Sequence, residues 1–450
     1  MSTSIINIIK KIEPLQRYNV SPDLDYSLKI IKNYYPELRI IKFKSGKKVW
    51  DWIIPKKWKV EKAYISFKNK KILDIKDNPL RIWSGSWSSN KKKIFFSELK
   101  KNIHAKKKLK NLIPWKYKYY FHNKEFWGFS VTFNEYLKLK RLNGPFKAVI
   151  KTKFYDDFLQ MGEIVLKGDS NKKILISSDI CHPGQVNDSL SGVYCALKLY
   201  DFLKKRKNKF TYVFTFQPEM IGTIAYLSKQ KSLKNFIFGI FSEMMGDTGH
   251  FTLQKSFEDK SLIDNIAIST IKKKYKKNRF KIKKFLEKGI VNDELILNHA
   301  GIPSIALNRG PFKNYHTSGD SYQNIKLNLL NDSFDTFKKI IINLEKNFNF
   351  QIDQSKYQEI INKTKYQEII NKKRICYTKK FKGPIFLDRH GLYVDWQKDW
   401  RMNTIIDMIM IMLNGKYTID EIASRCRCEK KIVKNFINQL LIRKIVYKVK

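Results

Sequence analysis

Apolar positions fall at helical spacing in the segment LKIIKNYYPEL, which Pro36 punctuates, and the stretch KVWDWIIPKKW then alternates until Pro55. From about 60 to 145 the runs are short and aromatic, as in AYISF, RIWSGSWSS, KYKYYF and EFWGFSVTF, with turn residues between them. That texture predicts a small β-rich unit able to wall one side of a pocket. From Phe146 to about Phe350 the pattern becomes strand, loop and helix in repetition. KKILISSD, FTYVFTF, NFIFGIF and IPSIALNR read as strands; SLSGVYCALKLYDFLKK, GTIAYLSKQ, DELILNHAG and a long segment from about Leu329 to Asn347 read as helices. Such alternation predicts a sheet with helices on both faces.

The expected organisation is therefore a core from 1–60 and 146–350, a β-rich insert at 61–145, a linker at 351–399 and a terminal unit at 400–450. Within 356–373, KYQEIINKT is followed by KYQEIINKK, a repeat too short for a solenoid unit. In the tail, NTIIDMIMIMLNG, TIDEIASRC and KKIVKNFINQLLIRK read as three helices before the strand-like IVYKV, the spacing of a winged helix-turn-helix. Thr418 with Glu421 is a capping-box signature for the second of these.

At 43% hydrophobic and 14% aromatic, the 450 residues can bury a substantial core, which excludes a disordered chain. The net charge of +48 invites a nucleic-acid reading. Lys dominates Arg and is spread along the chain, whereas nucleic-acid faces favour clustered Arg. Nucleic acid is thus disfavoured, with the winged helix its remaining route, and anionic partners are favoured in general. The five cysteines are sparse and unpatterned, which favours a reducing compartment. The N-terminal stretch lacks the order of a signal peptide, and the apolar run from Ile405 is too short to span a bilayer. A cytoplasmic protein is expected, and a homo-oligomer is compatible with it.

The acidic and His residues of the α/β block sit just after strands. Asp179, His182 and Asp188 follow the first, Glu219 the second, Glu243 and Asp247 the third, and His316 and Asp320 another. Ligand sites in such sheets lie outside the carboxyl ends of the strands, so these loops are expected to converge. Two His and several carboxylates form a ligand set for a zinc pair, or for zinc with a more oxygen-loving metal such as manganese or cobalt. Asp179 is read as a cap or a partner of a ligand His, Asp293 as opening a helix, and Asp320 as a turn residue; with Asp247 they are the candidate outer shell. Cys181 is read as a small buried thiol. His104, His122, His250, His299 and His390 have no matching partners and are read as structural.

The stretches WDWIIPKKWKVEKAYI, EFWGFSVT, SSDICHPGQVNDSLSG, PEMIGTIAYL, SEMMGD and YHTSGD resemble a bacterial family with a zinc aminopeptidase-like core, an inserted β-rich domain and a C-terminal winged helix, often encoded beside surface-polysaccharide genes. The resemblance implies a three-layer αβα fold with a mixed sheet, and a hydrolase that cleaves an amide next to a free amine in a small peptide or a saccharide-linked substrate. It implies that His182 and Glu243 bind a first metal, that Asp188 bridges and that His316 binds a second. Two departures stand out: Pro218–Glu219 replaces a pair of Glu residues, and His182 and Asp188 are only six positions apart. Glu219, the catalytic candidate, is open as base or as ligand. An amide hydrolase acting on an amino-sugar precursor and a regulator built on a decayed hydrolase core are the alternatives.

Overall fold

The computed structural model describes residues 2–117, 125–287, 292–348, 374–395 and 398–449. The tandem repeat and His122 lie outside the described residues. The chain opens with two helices, α1 (Ser2–Ile12) and α2 (Pro22–Tyr34). Ser21 Oγ accepts the Leu24 N–H and Pro22 takes the first helical position, where an N–H has no intrahelical partner. β1 (Arg39–Lys44) follows.

Next come β2 (Lys57–Phe67), β3 (Lys70–Asp74), β4 (Ser89–Ile94) and β5 (Phe146–Tyr155), a separate antiparallel sheet in the order β3-β2-β5-β4. Trp58, Ile65, Phe129, Phe146 and Ile150 fill its core. Phe146 was expected to begin the α/β block, yet β5 pairs with β2 over its whole length. Its exposed lysines Lys147, Lys151 and Lys153 explain why. A strand buried on both faces is apolar throughout, whereas β5 shows one face to water.

The chain then builds β6 (Phe158–Leu166), β7 (Lys173–Asp179), α3 (Leu190–Leu203), β8 (Thr211–Gln217), α4 (Ile221–Lys229) and β9 (Phe236–Ser242). It continues through β10 (His250–Gln254), α5 (Leu262–Lys274), β11 (Phe280–Lys283), α6 (Asp293–His299), β12 (Ser304–Gly310) and α7 (Leu327–Asn347). Eight strands form one mixed sheet, β1-β6-β8-β7-β9-β12-β10-β11. The middle four run parallel, flanked by antiparallel neighbours. Within β7 and β8, Ile174, Ile176, Tyr212 and Phe214 pack toward α1, α3, α5 and α7, while Leu175 and Val213 pack toward α4 and α6. This is the expected three-layer αβα core. From β7 the chain moves to β8 on one side and later to β9 on the other, so a crevice opens at the carboxyl end of β7.

The last part holds β13 (Cys376–Lys379), α8 (Trp400–Met412), β14 (Asn414–Thr418), α9 (Ile419–Cys426), α10 (Lys430–Ile442) and β15 (Val446–Val449). Its sheet is β14-β13-β15, so the central strand comes from the stretch expected to be linker. The Thr418–Glu421 capping box is present. This unit packs on the core through Phe257, Phe285 and Leu295, with the Arg425 guanidinium 4.0 Å from the Phe257 ring centroid. Among the described residues no helix is long and apolar enough to cross a membrane.

At the same contact Lys379 Nζ lies 2.9 Å from His299 Nδ1, both residues buried. Burial pushes the Lys379 ammonium from 10.5 down to about 7. Burial, then the Lys379 charge, holds His299 well below 6.5. Both groups bind protons more readily when unfolded, so folding loses stability as pH falls from about 10 toward 7 for Lys379, and again below 6.5 for His299. Lys379→Met is expected to raise the urea midpoint at pH 7 by an amount equivalent to about 1–2 kcal/mol, and to flatten its rise between pH 7 and 10. Urea melts at several pH values measure it; an unchanged pH slope would contradict the assignment.

Candidate metal centre

The four parallel strands each end in a loop that supplies part of one site. β7 ends at Asp179 and leads to Cys181, His182 and Asp188; β8 leads to Glu219; β9 leads directly to Glu243; and β12 leads to Tyr315, His316 and Asp320. His182 and His316 adopt φ of +77° and +55°. Side chains with a Cβ rarely take this conformation, and it concentrates where a turn must aim a functional group. Gly192, in the NDSLSG segment, lets α3 start against β9: a Cβ there would sit 1.9 Å from the Ser242 carbonyl oxygen.

His182 Nε2 lies 3.8 Å from Asp188 Oδ1 and 3.6 Å from Glu219 Oε2. His316 Nε2 lies 3.2 Å from the other Asp188 oxygen, Oδ2. Two groups of three could each hold an ion, His182 with Asp188 and His316, and Cys181 with His182 and Glu219. Glu243 belongs to neither group; its Oε1 accepts from Asn292 Nδ2. Burial lowers the His182 imidazole to about 4, which keeps it neutral and able to act as a ligand. Burial raises Glu243 well above the usual carboxylate range, and the Asp188 and Glu219 charges raise it further. For Asp188, burial works upward but is outweighed by His182 and His316, and its carboxyl stays below the usual value.

The fit to a cation follows from atoms left over. Glu243 Oε2 is buried without a hydrogen bond among the described residues, and Asp188 Oδ2 and His316 Nε2, buried 3.2 Å apart, have no partner there beyond each other. Buried polar atoms without partners are rare, and lone pairs of this type from imidazole and carboxylate are what zinc binds.

The outer acids divide. Asp320 accepts backbone N–H groups of Val186, Asn187 and Asp188 at 2.6–3.1 Å, which fixes the Asp188 loop. Asp293 accepts from Ser177, Gln217, Thr223 and the Met220 N–H, and so sets the turn that carries Glu219. Asp179 is buried, and burial followed by the charge of Asp293 raises its carboxyl well above the usual range. Asp247 accepts from Thr248 and the Lys313 N–H at the rim, not at the histidines. Cys181 Sγ accepts the Glu219 N–H at 3.3 Å and lies 3.4 Å from His182 Nδ1, so the thiol links the two loops.

Sequence reasoning missed two contributors. Arg17, wholly buried, donates to the carbonyls of Ile180, Cys181 and Gln185, each at 2.7 Å. Trp115, from the insert, roofs the site: its ring centroid lies 5.0 Å from that of His182 and 4.8 Å from that of His316. The Trp115 N–H donates to the His316 carbonyl at 2.8 Å, and Ile113 pairs with Ser318. Tyr117 and Tyr315 lie against the His316 ring, Tyr315 stacked at 3.7 Å. The aromatic richness of the insert was the available signal, since it predicted a pocket wall but named no residue.

A family model described as Domain of unknown function (DUF4910) matches residues 6–347. A Clostridium acetobutylicum protein, named for polysaccharide biosynthesis and an aminopeptidase-like domain, is 32% identical over 374 residues, covering 76% of this chain and 78% of that one. A crystal structure from the same organism, named as that of a peptidase, superposes with a TM-score of 0.71 at 27% identity, covering 100% of this chain and 96% of its own. BSAP, a zinc aminopeptidase from Bacillus subtilis, superposes with a TM-score of 0.56 at 14% identity over 77% of this chain and 95% of its own. The core therefore has the zinc aminopeptidase fold.

Arg17→Met should leave three buried carbonyls without their donor. A loss of about 2–4 kcal/mol in urea unfolding is expected, with Arg17→Lys falling between it and wild type. Equal midpoints for all three proteins would show that the clamp contributes nothing.

Proposed function

The chain belongs to the family described as Domain of unknown function (DUF4910), and from that premise we propose that it is a zinc-dependent hydrolase cleaving an amide next to a free amine. The observation that carries the reading is Asp188. Its two oxygens face two different histidines, at 3.8 and 3.2 Å, a placement from which the carboxylate would help to hold two ions. In this reading His182 and Glu243 complete one site and His316 the other. These residues would hold zinc, and an ion held there would supply Lewis acidity toward a water and an amide carbonyl.

The remaining steps belong to the chain itself. Glu219 projects from its turn beside His182, partly open to solvent, and takes the proton of the attacking water and delivers it to the leaving amine. Burial keeps the phenols of Tyr117 and Tyr315 protonated, so each is a hydrogen-bond donor at the edge of the site. Trp115 covers the histidines and limits the water that reaches them. Pro218 stands where a second Glu would have shared the load, which leaves Glu219 as proton carrier. The C-terminal unit acts in this proposal as a packing module, joined to the core at Phe257 and, through Lys379 of β13, at His299.

The test is metal content by elemental analysis with hydrolysis of aminoacyl anilides, on wild type, His182→Ala and Glu219→Gln. We expect about two ions per chain in wild type and fewer in His182→Ala. Glu219→Gln should keep its metal and lose roughly 10²–10⁴-fold in kcat. Loss of an ion from Glu219→Gln would make it a ligand instead. A chain that takes up no zinc, manganese or cobalt would overturn the proposal.

A further inference from the structure

A cavity of about 140 Å³ opens beside Asp188, between the loops that follow β9 and β12. At roughly 30 Å³ per water it equals four or five waters, space for one small ring. Its walls include the amides of Asn187, Asn314 and Asn324, the Ser321 hydroxyl and the rings of Phe312 and Tyr315. The amides keep unspent capacity. Asn187 Oδ1 accepts the Gly246 N–H at 2.9 Å, which leaves its NH₂ group. Asn324 Nδ2 donates to the Gly319 carbonyl at 2.9 Å, which leaves its oxygen. The Asn314 amide and Ser321 hydroxyl bond no described residue.

We propose that this cavity is a subsite for a saccharide ring, so that the amide presented to Asp188 is carried by an amino sugar. This rests on the hydrolase reading and names its substrate class. A pocket for a hydrocarbon side chain is lined mainly by apolar groups, with few polar ones. Filling this one with hydrocarbon would desolvate amides and a hydroxyl without replacing their partners, at a cost for each. A pyranose offers the complement: hydroxyls that both donate and accept around its edge, and a C–H face for an aromatic ring. Phe312 and Tyr315, 6.0 Å apart and tilted by 40°, line one side. The reaction balances as hydrolysis. Water adds to the acyl carbon, the C–N bond breaks, the carboxylate leaves with the new C–O bond, and both protons of the water pass to the sugar nitrogen, which departs as an ammonium.

The experiment titrates the zinc-loaded full chain with N-acetylglucosamine and, separately, with leucinamide, by calorimetry. Wild type, Asn314→Leu and Phe312→Ala are compared, with Ser321→Ala as a milder probe should Asn314→Leu fail to fold. The expected result is sugar binding in wild type, weakened at least fivefold in the variants, with leucinamide binding unchanged or tighter in Asn314→Leu. Sugar binding equal in all proteins, absent, or weaker than that of leucinamide in wild type overturns the subsite. Hydrolysis separates the two readings. Turnover of leucyl anilide without sugar binding removes the subsite and leaves the hydrolase. Sugar binding that responds to the variants, with no hydrolysis of any amide, keeps the subsite and removes the hydrolase.

Discussion

Asp188 is buried between two histidine rings, and Glu243, Asp179, Asp293, Glu294 and Asp320 are buried around it. Removing so many carboxylates from water costs several kcal/mol each unless protons, hydrogen bonds or cations offset it. The fold supplies hydrogen bonds to some of them. Asp320 takes three backbone N–H groups, and Asp293 takes four donors from three elements. Burial also pushes protons onto the group, raising Glu294 to about 8 and, against its three hydrogen bonds, Asp320 to about 7. Arg17 brings one permanent positive charge beneath the loop, near Asp320 and Asp188. The charge that remains is centred on Asp188 and its neighbours, where imidazole and carboxylate atoms with no partners beyond one another face the same space.

This arrangement explains why the parallel strands matter beyond packing. Carboxylates placed along a strand would have to be buried in the sheet. Placed one to ten residues beyond the ends of β7, β8, β9 and β12, they meet outside it, while the strands themselves stay largely apolar and bury both faces. The roof is then required for a dry site, and Trp115 provides it from an irregular segment of the insert. Its segment is fastened by backbone pairing between Ile113–Trp115 and His316–Ser318, so roof and ligand loop are positioned together.

The strand–loop–helix alternation made the core and the loop positions of His182, Asp188, Glu219, Glu243 and His316 legible, because each follows a short apolar run that can only be a buried strand. Arg17 was not legible. It lies 163 residues from the Ile180 carbonyl it supports, and nothing local distinguishes it from the other basic residues of so cationic a chain. β10 and β11 escaped for a different reason. They are short strands, β11 at the sheet edge and β10 beside it, whose half-polar patterns, HFTLQ and FKIK, carry little periodic signal. The position of β5 depended on which sheet its solvent face avoided, and a strand's sequence does not name its partner.

The helix α6 joins these parts into one mechanical unit. Just before its first turn, Asn292 holds Glu243; within it, Asp293 holds the Glu219 turn and Glu294 accepts from Gln254. At its far end Asn298 receives the Phe257 N–H, and His299 meets Lys379 of the C-terminal unit. Asn292 and the seven residues of the helix thus connect the loops of two parallel strands to a unit whose described residues include none of the candidate ligands. A helix so short has little rigidity of its own, because its internal hydrogen bonds are few. Its position is set by what grips its two ends, so the packing of the C-terminal unit against Phe257 and His299 is part of what keeps Glu243 and Glu219 in place.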